Sequence, residues 1–444
     1  MELRLKRGIS GSGPPTRFYN MSWKRRHSCE DSVRDDETFS FIFRPHTFSS
    51  LLILLGFLSY VAFSNEEIDD FNTNVKRGLY AVAVVFVAFG VTYARDGPFY
   101  RPHPIIWRFL FSCCVLYELV LIFFLFQTPK MFRQAVQFLD PKLNRTITET
   151  AYGDTCNIYD PENYPDDPWK NVKGKMDGFV VAHAVGWFCK TLIIRDFWMT
   201  NVLSVTFEFL EYSLEHQLPN FSECWWDHWI LDVLICNFGG IWLGNKALKV
   251  LENKEYNWIG IRNQMGYKNK MRRVIAQFSP YSWVSFAWKP NTSIRRWVSV
   301  NLIIIFVLIC ELNTFYLKFV MWAPPEHPMV LGRMWFVAAA GAVAIREAYD
   351  FLMGVTADIG QSAWIAVAVI ITEFLICIKF GWETVTMPFP LHIKWFWFFL
   401  SIGYIMWSFW DLWKVDIVTE PPEENQNITE RAVSPRNAAK SKNE

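Results

Sequence analysis

Nine cysteines are present without a single C-x-x-C pair, so neither a zinc module nor a dense disulfide scaffold organises this chain. No internal repeat is visible. The start, MELRLKRGISGSGPP, lacks an apolar core, so no cleavable signal peptide is expected and the first span must itself direct insertion. The most telling absence is local. Between Arg195 and Lys246 there is no Lys or Arg, although that interval contains Glu208, Glu211, Glu215, Glu223, Asp227 and Asp232.

Apolar residues, by contrast, are abundant. Of 444 residues, 52% are hydrophobic and 17% aromatic. They gather into runs of roughly 16–25 residues, enough to cross a bilayer core. Ten such runs can be drawn, at 47–63, 78–93, 105–126, 178–194, 197–214, 228–244, 297–321, 329–352, 362–380 and 393–410. The expected fold is all-α, a polytopic membrane protein of about ten transmembrane helices, since spanning segments must satisfy their own backbone hydrogen bonds.

A net charge of +1 conceals an uneven distribution. Nine Lys/Arg precede residue 47, and eleven lie in 245–296 against only Glu252 and Glu255. The positive-inside rule places both segments in the cytosol, and ten spans then put both termini there. These basic runs read as topology signals and not as nucleic-acid contacts. The resulting division is a basic leader (1–40), a membrane domain (41–412) and a tail (413–444), with leader and tail polar enough to be disordered. Within the membrane domain lie a lumenal loop (127–177), the acid-rich segment (178–244) and a basic cytosolic loop (245–296).

On this topology Asn144 opens a glycosylation sequon on the lumenal side, well clear of the spans. Asn20, Asn291 and Asn427 open sequons on the cytosolic side. Most cysteines fall inside spans as small apolar residues. Cys156 and Cys224 both fall in lumenal loops, where a pairing is open to them.

Depth singles out four residues. The run 178–194 enters from the lumen and carries His183 near its start. The next run returns with Glu208 and Glu211 in its last two turns, and the third begins at His228 with Asp232 one turn down and Asn237 beyond. His183, Glu208, Glu211 and Asp232 therefore share one shallow lumenal level, and intramembrane ionisable groups are costly enough to suggest function. Glu208, Glu211 and Glu215 share a helix face, where like charges repel. The fold-back QLPNFSECWWD brings Glu223 and Asp227 over the same mouth. Carboxylates without a His or Cys pair favour a hard ion, calcium above magnesium. The alternative is a polar vestibule of protonated or solvated acids. His183, alone, is an ordinary interhelical hydrogen-bonding residue; at the level of the acids it becomes a candidate general base.

Other polar positions are less specific. GPFYRPHP at 97–104, with Arg95, Arg101 and His103, is a cytosolic turn that suits a phosphate or simply flanks a span. Glu118, Glu311, Glu347 and Glu373 are further intramembrane acids, and Glu347 follows Arg346.

LPNFSECWWDHWILDVLICN, together with FEFLEYSLEHQ, YGDTCNIYDPEN and ELNTFYLKFVMWAPPEH, resembles the eukaryotic base-exchange phosphatidylserine synthases, and in particular their type 2 branch. The likeness runs from FIFRPHT (41–47) to the ninth span. It implies an enzyme of the endoplasmic reticulum and mitochondria-associated membranes. Such an enzyme replaces the head group of phosphatidylethanolamine with L-serine, using Ca2+ and no nucleotide; type 1 relatives use phosphatidylcholine. Positions matching the family's functional residues are His183, Glu208, Glu211, Asn220, Glu223, Asp227, Asp232 and Asn237, while Glu215 is not among them. The resemblance assigns calcium to the acids of this set, proton transfer to His183, serine or ion contacts to Asn220 and Asn237, and product inhibition to the Arg101 position. Phe238 departs from the family pattern, which has a small residue there. Self-association is left open by the sequence. Two rivals remain. A CDP-alcohol phosphotransferase needs D-G-x-x-A-R, and Asp177-Gly178 continues FVVAHAVG instead. A calcium-regulated lipid scramblase would use the same acids without needing His183 at their depth.

Overall fold

The computed structural model describes residues 47–63, 70–143, 156–176, 178–254, 258–324 and 327–419. The sequon at Asn144, the leader and the end of the tail lie outside these residues.

Every regular element among the described residues is helical. In chain order they are α1 (Thr47–Phe63), α2 (Phe71–Tyr93), α3 (Pro104–Leu125), the short α4 (Pro129–Leu139) and α5 (Lys170–Lys175), α6 (Gly178–Ile194) and α7 (Phe197–Leu214). A π-helix (Asp227–Asn237) runs directly into α8 (Phe238–Glu252), followed by α9 (Tyr267–Ala276), α10 (Ile294–Met321), α11 (Pro328–Leu352), α12 (Gln361–Phe380), the single turn α13 (Trp382–Val385) and α14 (Leu391–Thr419). Side-chain caps set several starts: Asp70 accepts from the Thr73 amide, Asp196 from Met199 and Ser293 from Arg296.

Five helices, α2, α3, α10, α11 and α12, are long and apolar enough to cross a membrane. The other five expected runs are also helical. Of these, α6 is only 17 residues long, α7 carries Glu208 and Glu211, and the run 228–244 is divided between the π-helix and α8.

The described residues form two compact units. The smaller includes α1, Phe99–Ile106 and Asn253–Trp283. At its centre two buried arginines converge on one side chain: Arg101 Nη1 donates to Gln277 Oε1 at 2.5 Å and Arg273 Nη1 to the same oxygen at 2.9 Å. The Arg101 guanidinium also lies 3.5 Å from the Trp258 ring, a cation–π contact.

The larger unit holds the acid-rich segment. Arg195, in left-handed conformation (φ 56°), turns the chain between α6 and α7 within two residues. Its guanidinium donates to the Val284 carbonyl at 2.6 Å. Helices α6 and α8 meet along Gly240 and Gly244, a small-xxx-small seam that admits close backbone approach. A Cβ placed on Gly240 would stand 2.4 Å from the Ala184 carbonyl oxygen, and one on Gly244 would stand 2.6 Å from Thr191 Cβ.

Most remaining intramembrane acids have structural partners here. Glu373 accepts from Tyr117 (2.5 Å) and Arg333 (2.6 Å), joining α3, α11 and α12. Glu118 accepts from Thr372 at 2.8 Å. Glu347 accepts from the Ser362 and Ala363 amides, capping α12, while Arg346 pairs with Asp350 one turn on. Glu311 pairs with Lys190 of α6 at 2.9 Å. A buried ion left unpaired would cost several kcal/mol, and these contacts offset part of that cost, although one buried Glu118 oxygen has no hydrogen-bond partner.

Candidate active site

Asp227, Asp232 and Asn237 are spaced by five. On an α-helix each step of five residues turns about 140° away from the last, dispersing the three. The π-helix bonds residue i to i+5, so here they climb one side of the element. That side faces α6 and α7.

Asn237 is fully buried and joins both neighbours. Its Nδ2 donates to Glu208 Oε1 at 2.7 Å, and its Oδ1 lies 2.5 Å from His183 Nε2. The first bond orients the amide so that Oδ1 can accept from Nε2–H, and in that tautomer Nδ1 is the basic nitrogen. His183 Nδ1 keeps its lone pair and looks toward Asp232 Oδ1 at 3.9 Å. Trp187 Nε1–H also approaches Nε2, at 3.1 Å, a contact that serves the opposite tautomer.

Glu208 is the hub. Its side chain is wholly buried, and its Oε2 makes no hydrogen bond. His228 stands over it: Nε2 is 3.2 Å from the Glu208 backbone oxygen, and Nδ1 is 3.3 Å from Oε2 and 3.9 Å from Glu223 Oε2. One ligand atom each from Glu208, Glu211 and His228 lies within 4.8 Å of the others, close enough for one metal ion. Glu211 is within electrostatic range of Glu208, Glu223, Asp232 and Glu311.

The charge balance differs from the sequence expectation in one respect. Lys175, at the end of α5, pairs with Asp227 at 2.7 Å. Burial pushes the Asp227 carboxyl up, and the Lys175 hydrogen bond pulls against that shift. Asp227 thus has a side-chain counter-charge supplied from outside the lysine-free interval.

The structure therefore brings together His183, Glu208, Glu211, Glu223, Asp232 and Asn237. Asp227 is buried and pairs with Lys175. Asn220 is half-buried in the 3-10 turn Pro219–Phe221, and among the described residues no hydrogen bond ties its side chain to the acids. Glu215 is exposed. Phe238 is 46% exposed, turned away from the cluster. Arg101 belongs to the smaller unit and is described there. His228 was read from sequence only as the first residue of a span; its adjacency to Asp227, four residues before Asp232, was the signal available. A disulfide joins Cys156 to Cys224, and Trp226 Nε1 donates to the Cys156 carbonyl at 3.1 Å, so the chain around Cys156 is anchored beside Glu223.

The donor set suits a hard divalent cation. Ligand atoms of Glu208, Glu211 and His228 lie within 4.8 Å of one another, Glu223 and Asp232 stand within electrostatic range of Glu211, and a buried Glu208 oxygen has no hydrogen-bond partner.

Residues 102–381 match the family model described as phosphatidyl serine synthase. Among curated relatives, the mouse protein named phosphatidylserine synthase 2 is 49% identical over 97% of this chain and 90% of its own length. The human protein of that name is 51% identical over 88% of this chain and 81% of its own. An Arabidopsis thaliana protein named CDP-diacylglycerol–serine O-phosphatidyltransferase 1 is 36% identical over 84% of this chain and 89% of its own length.

Proposed function

The chain belongs to the phosphatidylserine synthase family, and from that premise we propose that it makes phosphatidylserine by calcium-dependent base exchange on phosphatidylethanolamine. It is a phosphatidylserine synthase, an enzyme acting on membrane lipids. The observation that supports the finer reading is a histidine hydrogen-bonded to Asn237 beside converging carboxylates, one of them with an unsatisfied buried oxygen. Ten spans, cytosolic termini, residence in the endoplasmic reticulum and its mitochondria-associated membranes, and glycosylation at Asn144 belong to the same proposal.

In base exchange the serine hydroxyl oxygen forms a bond to phosphorus as the bond from phosphorus to the ethanolamine oxygen breaks. The proton lost by serine ends on the departing ethanolamine. One phosphodiester replaces another, so no nucleotide is needed. Glu208, Glu211, Glu223 and Asp232 are the acids we assign to calcium, with Asp227 held by Lys175 and Asn220 a further oxygen donor. When bound, calcium would neutralise phosphate charge and polarise phosphorus. His183 takes the serine proton at Nδ1, the nitrogen that its bond to Asn237 leaves basic, and returns it to the leaving alkoxide. Asn237 maintains that tautomer through Glu208.

Purified protein given labelled L-serine should form phosphatidylserine from phosphatidylethanolamine in calcium and none in chelator. Product made chiefly from phosphatidylcholine would overturn the donor assignment. Product made only with added CDP-diacylglycerol would overturn base exchange itself. Lipid movement between leaflets without any product would favour a calcium-regulated scramblase.

His183→Gln should lower kcat by about a hundredfold, within the usual range for a general base. The kcat/KM profile should also lose its acid limb, since the base must be unprotonated. An unchanged profile would assign proton transfer to another group.

A further inference from the structure

A phosphodiester is an anion, and the candidate site is built from carboxylates that repel it. Even with a divalent ion bound, Glu208, Glu211, Glu223 and Asp232 leave an excess of negative charge when ionised. The phosphate of a donor lipid therefore gains from a side-chain cation that reaches the cluster from a neighbouring helix face.

Helix α6 supplies one. Lys190 is the one Lys or Arg that this helix carries. It lies seven residues beyond His183, about 10 Å along the axis, but its stem leans back toward the helix start, as helical side chains do. Its ammonium comes to rest 3.8 Å from the Trp187 ring, and Trp187 Nε1 in turn lies 3.1 Å from His183 Nε2. His183, Trp187 and Lys190, at i, i+4 and i+7, thus line one face of α6. Lys190 is within electrostatic range of both His183 and Glu208. Its partner Glu311, on α10 at 2.9 Å, is within range of Glu211. The pair is not sealed in, since the Lys190 side chain is 30% exposed and that of Glu311 15%. Among the described residues the Lys190 ammonium meets one acceptor, Glu311, and two aromatic rings, Trp187 and Phe207, so of its three donors one remains for a second anion. The other cations beside the acids are engaged with them directly, His228 with Glu208 and Glu223, and Lys175 with Asp227.

We propose that Lys190 binds a non-bridging oxygen of the donor lipid's phosphodiester, with Trp187 steering its ammonium and Glu311 as its resting partner. This rests on the base-exchange reading above, and it gives the phosphate a side-chain ligand in addition to the ion. A lysine ammonium is a compact point charge that suits phosphate. Glu311 keeps that charge paired while no lipid is bound, because an ammonium left alone among apolar helices is costly. When the lipid enters, its phosphate competes with Glu311 for the same donors.

The test uses purified full-length protein in detergent with calcium. Binding is read with fluorescent phosphatidylmethanol, which keeps the anionic phosphodiester and has no amine; turnover is read as KM for phosphatidylethanolamine and for labelled L-serine. Lys190→Met should weaken phosphatidylmethanol binding and raise the phosphatidylethanolamine KM, each by at least about tenfold, the loss expected of one charge-assisted hydrogen bond. The serine KM should stay unchanged, and Lys190→Arg should recover most of both losses. Glu311→Gln should act in the opposite direction, lowering the phosphatidylethanolamine KM by about threefold, because the phosphate no longer competes with a carboxylate. A tie that merely joins α6 to α10 would make Lys190→Met and Glu311→Gln alike in sign. That result, or unchanged phosphatidylmethanol binding in Lys190→Met, would overturn the proposal. If the methionine variant does not reach the membrane, Lys190→Gln carries the same comparison. Absence of exchange by the wild type would instead defeat the base-exchange reading, while phosphatidylmethanol binding by wild type and Lys190→Met would still decide the role of Lys190.

Discussion

Glu208→Gln should reduce serine incorporation by at least about a thousandfold while leaving the protein in the membrane. The substitution preserves shape: the amide oxygen can still accept from Asn237, now 2.7 Å from Glu208 Oε1, so the His183 tautomer survives. What changes is the other atom. Oε2, buried and without a hydrogen bond, becomes an NH2 group that presents protons toward His228 and toward the space shared with Glu211. One negative charge and one oxygen ligand are lost together. A loss of about 4 kcal/mol in transition-state stabilisation corresponds to a thousandfold in rate, a size typical of removing a metal's Lewis-acid contribution. Calcium should raise the melting temperature of the wild type in detergent and raise that of the variant much less. Near-normal rates with an intact calcium shift would take Glu208 out of the ion site.

A second large effect is expected far from any charge. Gly240→Val should both destabilise the protein and cut activity at least a hundredfold. The added Cβ meets a backbone carbonyl, Ala184 O, at 2.4 Å, and a carbonyl cannot rotate aside as a side chain can. Overpacking of this kind costs about 3 kcal/mol or more. Helices α6 and α8 must then separate. His183 is the residue before Ala184, and Asn237 lies three residues before Gly240, so the hydrogen bond between them stretches with the seam. A misplacement near 1 Å suffices for a hundredfold loss. Gly239→Ala is the control, since a Cβ there meets nothing within 4 Å. Thermal stability in detergent and serine incorporation, measured for both variants, decide it; equal behaviour of the two would dismiss the seam as the determinant.

The class of protein and much of its candidate site could be read without coordinates. Apolar runs are long because a bilayer is thick, so helices at the ten positions follow from composition alone. That His183, Glu208, Glu211 and Asp232 lie close together is the juxtaposition that helical rise and alternation of direction lead one to expect.

Three features depended on tertiary structure. The π register of Asp227–Asn237 places Asp227, Asp232 and Asn237 along one side, whereas the 3.6-residue period disperses them; the register is chosen by packing against α6 and α7, which no local propensity encodes. The cation beside Asp227 is Lys175, brought across from α5, because ion pairs form between whatever residues the disulfide-anchored chain places together. His228 joins the acids by standing over Glu208, a relation between two helices and not a spacing within one. Sequence determined which residues are candidates for the site; three-dimensional packing decided which of them touch, because contact between helices depends on rotation and approach, and neither is written in the order of residues along a single helix.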